Sequence, residues 1–399
     1  MEVRNFSKIG YAVDIPDLTT IQRKSYEDFL QADVPPEKRK SVGLQKILEE
    51  SFPIENEVKG IRLDLVGYKL GKPRYLPEQC LQLRLTYGRP FYIRVQLHKK
   101  NEVIEEDVYL GEMPIMLGGG EFIVNGAERV IVSQLHRSPG CDFSREVAGE
   151  RVLHACRIIP QRGSWIEMEV RRRGYLSCQL DRSGNLPATL LLRAVDEEHG
   201  TDEEILKLFY ETEAVKFTEG TAGNKLRERV SAETIALDEE EEVSLVKAGE
   251  TITEETAQQL AQAGVKSLDV LPEEFDPLIL DTLAKDRTTD HRQAIKELYG
   301  KLRPGTPFTF EKARDTIEEK FFDSGRYQLG AVGRFRMNRK FGEDVPLDHQ
   351  CLRPQDVINA IQYIMALRVG EGQVDDIDHL GNRRVRTIGE LASDQLRRG

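Results

Sequence analysis

Apolar positions along this chain recur with two periods, and each change of period marks a change of element. In PDLTTIQRKSYEDFLQA, Leu18, Ile21, Tyr26, Phe29 and Leu30 fall on one face of a predicted helix that Asp17 can cap. LQLRLTYGRPFYIRVQLH then alternates. Leu81, Leu83 and Leu85 precede a turn at Gly88-Arg89-Pro90, and Phe91, Ile93, Val95 and Leu97 follow it, which predicts a hairpin with one buried face. GEFIVNGAERVIVSQLHRSPG repeats the pattern around Asn125-Gly126, a favoured turn pair. GSWIEMEVRRRGYLSCQL is strand, turn and strand again, with Ile166, Met168 and Val170 on one face.

Helical spacing takes over downstream. LPATLLLRAV and TDEEILKLFYE predict short helices, the second opened by a capping box of Thr201 and Glu204. TEETAQQLAQAG predicts a capped helix ending at Gly264. TFEKARDTIEEKFF puts Phe310, Ala313, Ile317 and Phe321 on one stripe. RPQDVINAIQYIMALRVG starts with Pro354 in the first turn and stops at Gly370, with Val357, Ile361, Ile364 and Leu367 facing inward. GELASDQLRRG reads as a last helix that Gly399 can cap, but its apolar face is too small to stand alone. Either it packs on the first segment or the chain is a fragment. Strands early and helices late predict a mixed α+β fold.

Composition narrows the class. The 399 residues allow two or three domains, and 39% hydrophobic with 31% charged residues describes a soluble globular protein. No apolar run approaches the ~18 residues of a membrane span, and MEVRNFSKIGYAVDIPDL lacks the apolar core of a signal peptide. The five cysteines, Cys80, Cys141, Cys156, Cys178 and Cys351, are widely spaced without a C-x-x-C. They predict small buried side chains in a reducing cytoplasm.

A net charge of −11 excludes a globally basic nucleic-acid binder, but the charge is unevenly placed. From Glu233 to Glu255 there are nine acidic residues and one basic, with the block at its centre read as a solvated loop. From Arg129 to Arg182 there are ten basic residues, all arginine, against six acidic. Arginine without lysine favours planar, bidentate or stacking contacts.

The densest chemistry is GQVDDIDHLGNRRVR, just past a helix end. Asp375, Asp376 and Asp378 could supply oxygen ligands to a hard cation, pair with neighbouring arginines, or accept hydrogen bonds from a nucleobase. GNRRVR suggests a turn at Gly381-Asn382, then Arg383 and Arg384 on opposite sides and Arg386 back on the side of Arg383. A self-neutralised loop fits the same residues. RIIPQRGSWIEMEV sets the sole tryptophan, Trp165, near Arg157 and Arg162, a composition suited to stacking an unpaired base and holding its phosphates, or simply to a core strand. LGGGEF lacks the ending of a phosphate-binding loop and reads as a turn, as does the hairpin tip RRRG. His136 lacks any nucleophile context.

Long stretches of the chain resemble a known family. IPDLTTIQRKSYEDFL, VYLGEMPIMLGGGEFIVNGAERVIVSQLHRSPG, RIIPQRGSWIEMEV, LPATLLLRA, RYQLGAVGRFRMNRKFG and GEGQVDDIDHLGNRRVRTIGELASDQLR closely resemble, in order, the beta subunit of bacterial DNA-directed RNA polymerase. The resemblance implies the N-terminal third of that subunit, as an α+β, two-domain fragment. Residues 1–127 would begin the protrusion domain, 128–375 would form a lobe domain inserted into it, and 376–399 would return toward the protrusion and fork. It implies no catalytic residue and no cofactor here, with the catalytic magnesium on the beta-prime subunit. It implies DNA, the alpha, beta-prime and omega subunits, and sigma factor as partners, in the cytoplasm at the nucleoid.

The resemblance also carries site roles. Arg137, Trp165, Asp378 and Arg383 match the residues of a pocket that captures unpaired non-template bases, with Trp165 stacking on a base and Asp378 and Arg383 reading and holding a guanine. Asp375, Asp376, Arg384 and Arg386 would brace the loop. NEVIEED matches a docking site for CarD-like or transcription-repair coupling factors, filled here by Val103, Ile104 and Glu105. Three features depart from the family pattern: Gln161 replaces a common aromatic, Ser183-Gly184-Asn185 replaces a basic run, and Ile104 replaces a common lysine. Two alternatives use the same residues differently. One is a metal-dependent phosphoesterase built on Asp375, Asp376, Asp378 and His379. The other is an interaction module that, as an isolated chain, binds protein factors but negligible DNA.

Overall fold

A computed structural model describes residues 17–56, 59–99, 102–149, 151–181, 183–218, 221–236 and 244–398. The centre of the acidic block (238–242), Arg182 and the Gly399 cap therefore lie outside the described residues. The chain forms two compact units, Met1–His136 with Arg384–Gly399, and Arg137–Arg383. These boundaries fall later in the chain than 127/128 and 375/376. The extended segment after Arg129 stays with the first unit, where Gln22 Nε2 donates to the Ile131 carbonyl at 2.6 Å.

The first unit opens with helices α1 (Thr20–Leu30) and α2 (Gly43–Ser51). Asp17 is not the cap of α1. Its carboxylate accepts from the Thr19 N–H at 2.9 Å, and Thr19 takes the cap position. Tyr26, Phe29 and Leu30 are buried as expected, but Leu18 and Ile21 are 88% and 67% exposed. Leu18 precedes the first helical residue. Ile21 sits five residues before Tyr26, about 140° round the helix at 3.6 residues per turn.

Strands β1 (Ile54–Asn56) and β2 (Ile61–Leu70) follow, then helix α3 (Pro77–Leu83). Here the expected strand of Leu81, Leu83 and Leu85 is overturned. Pro77 occupies the first helical position, and the Gln79 side chain accepts the Leu76 N–H at 2.9 Å. Both are helix-starting devices that outweigh three alternating leucines. Gly88-Arg89-Pro90 is consequently not a turn. It begins strand β3 (Gly88–Lys99), which pairs antiparallel with β4 (Glu102–Pro114). The resulting sheet has the order β1-β2-β3-β4. Phe91, Ile93 and Val95 of β3 enter a core with Tyr26, Phe29 and Leu44. The turn at Asn125-Gly126 forms as expected, at φ +52° and +75°, between β5 (Phe122–Val124) and β6 (Ala127–Arg129), but the second apolar run, Val130, Ile131 and Val132, lies beyond β6 and is exposed. Strand β7 (Gln134–Arg137) ends this part.

The second unit is built on a sheet ordered β12-β11-β10-β9-β8. Its strands are β8 (Gly140–Ala148), β9 (Arg151–Ile159), β10 (Ile166–Val170), β11 (Leu176–Leu180) and β12 (Leu186–Pro187). Ile166, Met168 and Val170 point into the core, as their alternation predicts. Helices α4 (Ala188–Val195) and α5 (Asp202–Phe209) follow, and the Thr201–Glu204 capping box is present.

A small subcore comes next, made by β13 (Glu213–Lys216), α6 (Ala222–Leu226), β14 (Ile235–Ala236), β15 (Ser244–Val246), α7 (Glu254–Gln262) and β16 (Ser267–Val270). Helices α8 (Leu278–Leu283), α9 (His291–Leu302), α10 (Phe310–Phe321), α11 (Gly330–Phe341) and α12 (Pro354–Arg368) complete the main core. At its heart Arg334 of α11 and Asp356 of α12, both fully buried, bond at 2.8 and 3.0 Å. Arg334 also donates to the His349 and Cys351 carbonyls. Four of the cysteines are buried and Cys351 is partly buried.

Strand β17 (Arg383–Arg386) pairs with β7 in a two-stranded sheet, and α13 (Ile388–Arg398) returns the chain to the first unit. The last helix does pack there. Ile388 is buried with Tyr26 and Phe29, the Gly389 N–H donates to Ser25 Oγ at 3.0 Å, and Arg397 pairs with Glu50 at 3.0 Å.

Candidate nucleic-acid interface

Sheet register gathers several of the candidate residues of the second unit. Gly140 opens β8 opposite Ile159, the last residue of β9, while Ile166 opens β10 opposite Ile158. The start of β8, the end of β9 and the start of β10 therefore share one end of the sheet. Arg137 enters at this end, and Arg162 and Trp165 lie in the β9–β10 connection that crosses it. That connection is anchored on both sides. Arg162 and Gln328 exchange backbone hydrogen bonds of 3.0 and 2.7 Å. The Trp165 N–H donates to Asp181 Oδ1 at 2.9 Å, and Asp181 Oδ2 accepts from Lys320 at 3.2 Å. Gly163 is at φ +131°, and a Cβ there would lie 2.7 Å from the Tyr327 ring. Trp165 is half-buried, so its ring is neither a core side chain nor fully in water.

The loop from Gly372 to Arg383 is braced at its upstream half. Gly370 and Gly372, at φ +89° and +84°, turn the chain out of α12. Asp375 is fully engaged. Its carboxylate accepts from the Phe143 N–H at 2.8 Å and from Lys340 Nζ at 2.9 Å, and its own N–H donates to the Phe143 carbonyl at 2.8 Å. Asp376 Oδ1 accepts the Asp378 N–H at 3.0 Å, and the Asp376 carbonyl accepts from Asn382 Nδ2 at 2.7 Å. His379 Nδ1 accepts the Gly381 N–H at 3.0 Å. These bonds fold the loop on itself. They leave the Asp378 carboxylate and the Arg383 guanidinium without a hydrogen bond or ion pair to any described residue.

A backbone bond ties this loop to the sheet end. The Ser138 N–H donates to the Asn382 carbonyl at 3.0 Å, and Arg137 and Arg383, adjacent in sequence to Ser138 and Asn382, sit on the paired strands β7 and β17. Arg336 of α11 locks the junction. It donates to the Ser138 carbonyl at 2.9 Å, the Pro139 carbonyl at 3.2 Å, Asp142 at 2.7 Å and Asn382 Oδ1 at 3.4 Å. Burial pushes the Asp142 carboxyl above its ordinary value, and the Arg336 charge opposes that shift. Arg336, Lys340, Asp142 and Asp181 are the organising residues that sequence pattern misses. Their partners are distant in the chain, and the only local signal is the basic run GRFRMNRK.

Other candidate residues are placed differently. Arg157 lies within β9 rather than at the sheet end, opposite Asp142 and Glu167, and pairs with Glu167 at 3.2 Å. Arg386 does not return to the side of Arg383. It shares Glu390 with Arg384 and also pairs with Asp394, because residues two apart on a strand face one side. Arg384 and Arg386 therefore brace the start of α13. In the first unit, Val103 and Ile104 are 61% and 49% exposed on β4, an edge strand, and Glu105 accepts from Gln96 at 3.0 Å. No group of three His, Cys, Asp or Glu positioned for a metal ion occurs among the described residues. Lys340 and the Phe143 N–H already occupy the Asp375 carboxylate. No helix among the described residues is long and apolar enough to cross a membrane.

Known proteins similar to this chain cover its whole length. The family described as RNA polymerase beta subunit matches residues 17–118, and that described as RNA polymerase Rpb2, domain 2, matches residues 263–386. The DNA-directed RNA polymerase subunit beta of Rhodopirellula baltica is 48% identical across 100% of this chain. Those of Methylacidiphilum infernorum and Myxococcus xanthus are 40% and 36% identical across 99% of it. The chain spans about a third of the length of these curated relatives, 33%, 32% and 34% respectively.

Proposed function

We propose a DNA-handling role for this chain, which belongs to the beta-subunit family of DNA-directed RNA polymerases. Within the assembled enzyme it forms part of the wall of the DNA cleft, and the sheet end of the second unit captures an unpaired base of the non-template strand. The nucleotidyl transfer itself belongs to the assembled enzyme, with its magnesium held on the beta-prime subunit. Protrusion and lobe are the roles assigned to the first and second units.

One observation carries the reading. The loop consumes Asp375 in bracing itself yet leaves Asp378 and Arg383 without partners among the described residues, beside Arg137 on the paired strand. A carboxylate can accept from the ring and amino N–H groups of guanine, while a guanidinium donates to O6 or to phosphate. A half-buried Trp165 at the same sheet end offers a face for stacking.

The test uses the full-length subunit assembled into the polymerase with its alpha, beta-prime, omega and sigma partners. Trp165→Ala and Asp378→Ala should shorten open-complex lifetime on templates with guanine at the captured position and leave other templates unchanged. Equal behaviour on all templates would sink the base-capture role.

A second reading concerns the first unit. The exposed Val103 and Ile104 on an edge strand, with Glu105 beside them, suit strand addition by a docking factor of the CarD-like or repair-coupling type. Ile104→Asp should abolish co-elution of such a factor with the polymerase, and unchanged co-elution would remove this reading.

A further inference from the structure

A cavity of about 460 Å3 opens beside the braced loop in the second unit, and Arg137, Trp165, Asp378 and Arg383 are not among its lining residues. Its walls include Phe335, Arg336, Arg339 and Lys340 of α11, together with Tyr363 and Asp375. The charge is unbalanced: three cations face one carboxylate.

Subtracting the engaged groups leaves two. Lys340 is held by Asp375 and lies over the Tyr363 ring, 4.9 Å from its centroid. The Tyr363 hydroxyl accepts the Gln373 N–H at 2.9 Å and donates to the Gln373 carbonyl at 3.0 Å. Arg336 is saturated by Ser138, Pro139 and Asp142. Phe335 and Arg339 remain. Phe335 is 54% exposed although it is a large apolar ring, and Arg339 is exposed with no hydrogen bond or ion pair to a described residue. They are four residues apart on α11, hence neighbours on one helix face.

An exposed ring beside an unpaired guanidinium suits a base and its phosphate. We propose that Phe335 and Arg339 form a second contact point for single-stranded nucleic acid, the ring stacking on a base of any identity and the guanidinium holding a phosphate. The excess of cations at the cavity favours a polyanion, and the flat ring favours a nucleobase over an acidic peptide, which offers no π-face. Asn382 and Asp375 join the cavity wall to the loop that carries Asp378 and Arg383, so one strand can run across both. This inference extends the base-capture reading to the neighbouring stretch of strand, but it does not depend on which base is captured.

The test is fluorescence anisotropy of labelled oligonucleotides with the 399-residue chain across a salt series. The oligonucleotides are a 12-mer of thymidine, a 12-mer with central guanines, and an abasic 12-mer. Phe335→Ala should weaken both base-bearing oligomers by about fivefold, the low end for one stacked base, and leave the abasic oligomer unchanged. Phe335→Leu should behave like Phe335→Ala, since it keeps apolar bulk and loses the ring. Arg339→Gln should weaken all three and lower the slope of log affinity against log salt by about 0.7, one single-strand phosphate contact. Trp165→Ala separates the two readings. If it changes no oligomer while Phe335→Ala weakens both base-bearing ones, base capture falls and this contact stands. Unchanged affinity in Phe335→Ala, an unchanged salt slope in Arg339→Gln, or no salt-dependent binding by the parent chain would each overturn the proposal. So would competition by polyglutamate at the same phosphate-equivalent concentration as the oligomer.

Discussion

The two halves of one short segment put the same residue types to different uses. Downstream of Arg383, in the first unit, Arg384 and Arg386 are neutralised by Glu390 and Asp394, and Arg397 by Glu50. Upstream, in the second unit, Asp375 is neutralised by Lys340 while Asp378 and Arg383 have no partner among the described residues. What separates the halves is the supply of neutralisers. Helix α13 brings carboxylates within one or two turns of the strand, so its arginines close local ion pairs. Among the described residues the loop upstream forms one ion pair, between Asp375 and Lys340. A charged residue becomes available to a ligand when the fold gives its neighbours partners and gives it none.

The engaged side of this comparison is broken most severely at Arg334. Removing it by Arg334→Ala takes away the fully buried partner of Asp356 and leaves that carboxylate to the partly exposed Arg353 at 2.9 Å, and about 3 kcal/mol of stability should be lost. Urea unfolding followed by circular dichroism reads the loss, and a double change, Arg334→Met with Asp356→Leu, should recover only part of it, because Asp356 also accepts the Arg353 N–H at 2.9 Å at the start of α12. Next in size is Arg336→Ala, which frees two carbonyls and Asp142 at the sheet end; about 2 kcal/mol should go, within the range for a lost charged hydrogen bond. In the same variant, hydrogen exchange of the Ser138 amide should speed up while amides of β10 and β11 keep their protection.

The available side should respond in the opposite way. Asp378→Ala and Arg383→Ala should each leave stability within about 0.5 kcal/mol of the parent, as surface changes without partners do. A thermal melt checks this, and a large loss in either would mean the residue is structural. Arg384→Ala should cost about 0.5–1 kcal/mol through its partly exposed pair with Glu390, without altering nucleic-acid binding. The smallest effect is one of pH. Hydrogen bonds from Arg94 and then Lys69 hold the Asp107 carboxyl at about 2, below its ordinary 3.8. Its contribution is complete above the ordinary value and disappears as pH falls through the folded one. Acid titration of the Asp107→Asn variant should show a shallower loss of stability over that window, and an identical profile would show that the pair contributes nothing.

Much of the fold was legible because it rests on local pattern. The β10–β11 hairpin, the Asn125-Gly126 turn, the Thr201 cap and helix α12 each follow from residues within one or two turns of each other. The failures have equally local causes. Leu81, Leu83 and Leu85 alternate like a strand, but Pro77 and Gln79 start a helix, and Cys80 is the residue that helix buries. The side assigned to Arg386 failed on the period of a strand itself. Within the candidate site, the residue types of Asp378 and Arg383 were visible, but which aspartate would be spent on bracing was not. That depends on Lys340 and Phe143, 35 and 232 positions away.

By itself the sequence determined the α+β class, most helices and hairpins, and the family, since period, caps and motif order are properties of neighbouring residues. Only the tertiary structure decided where the units divide, that Arg336 ties Ser138 to Asn382, and which charges keep no partner. Those outcomes depend on long-range pairing, and a side chain's availability is set by whatever distant group the fold brings against it.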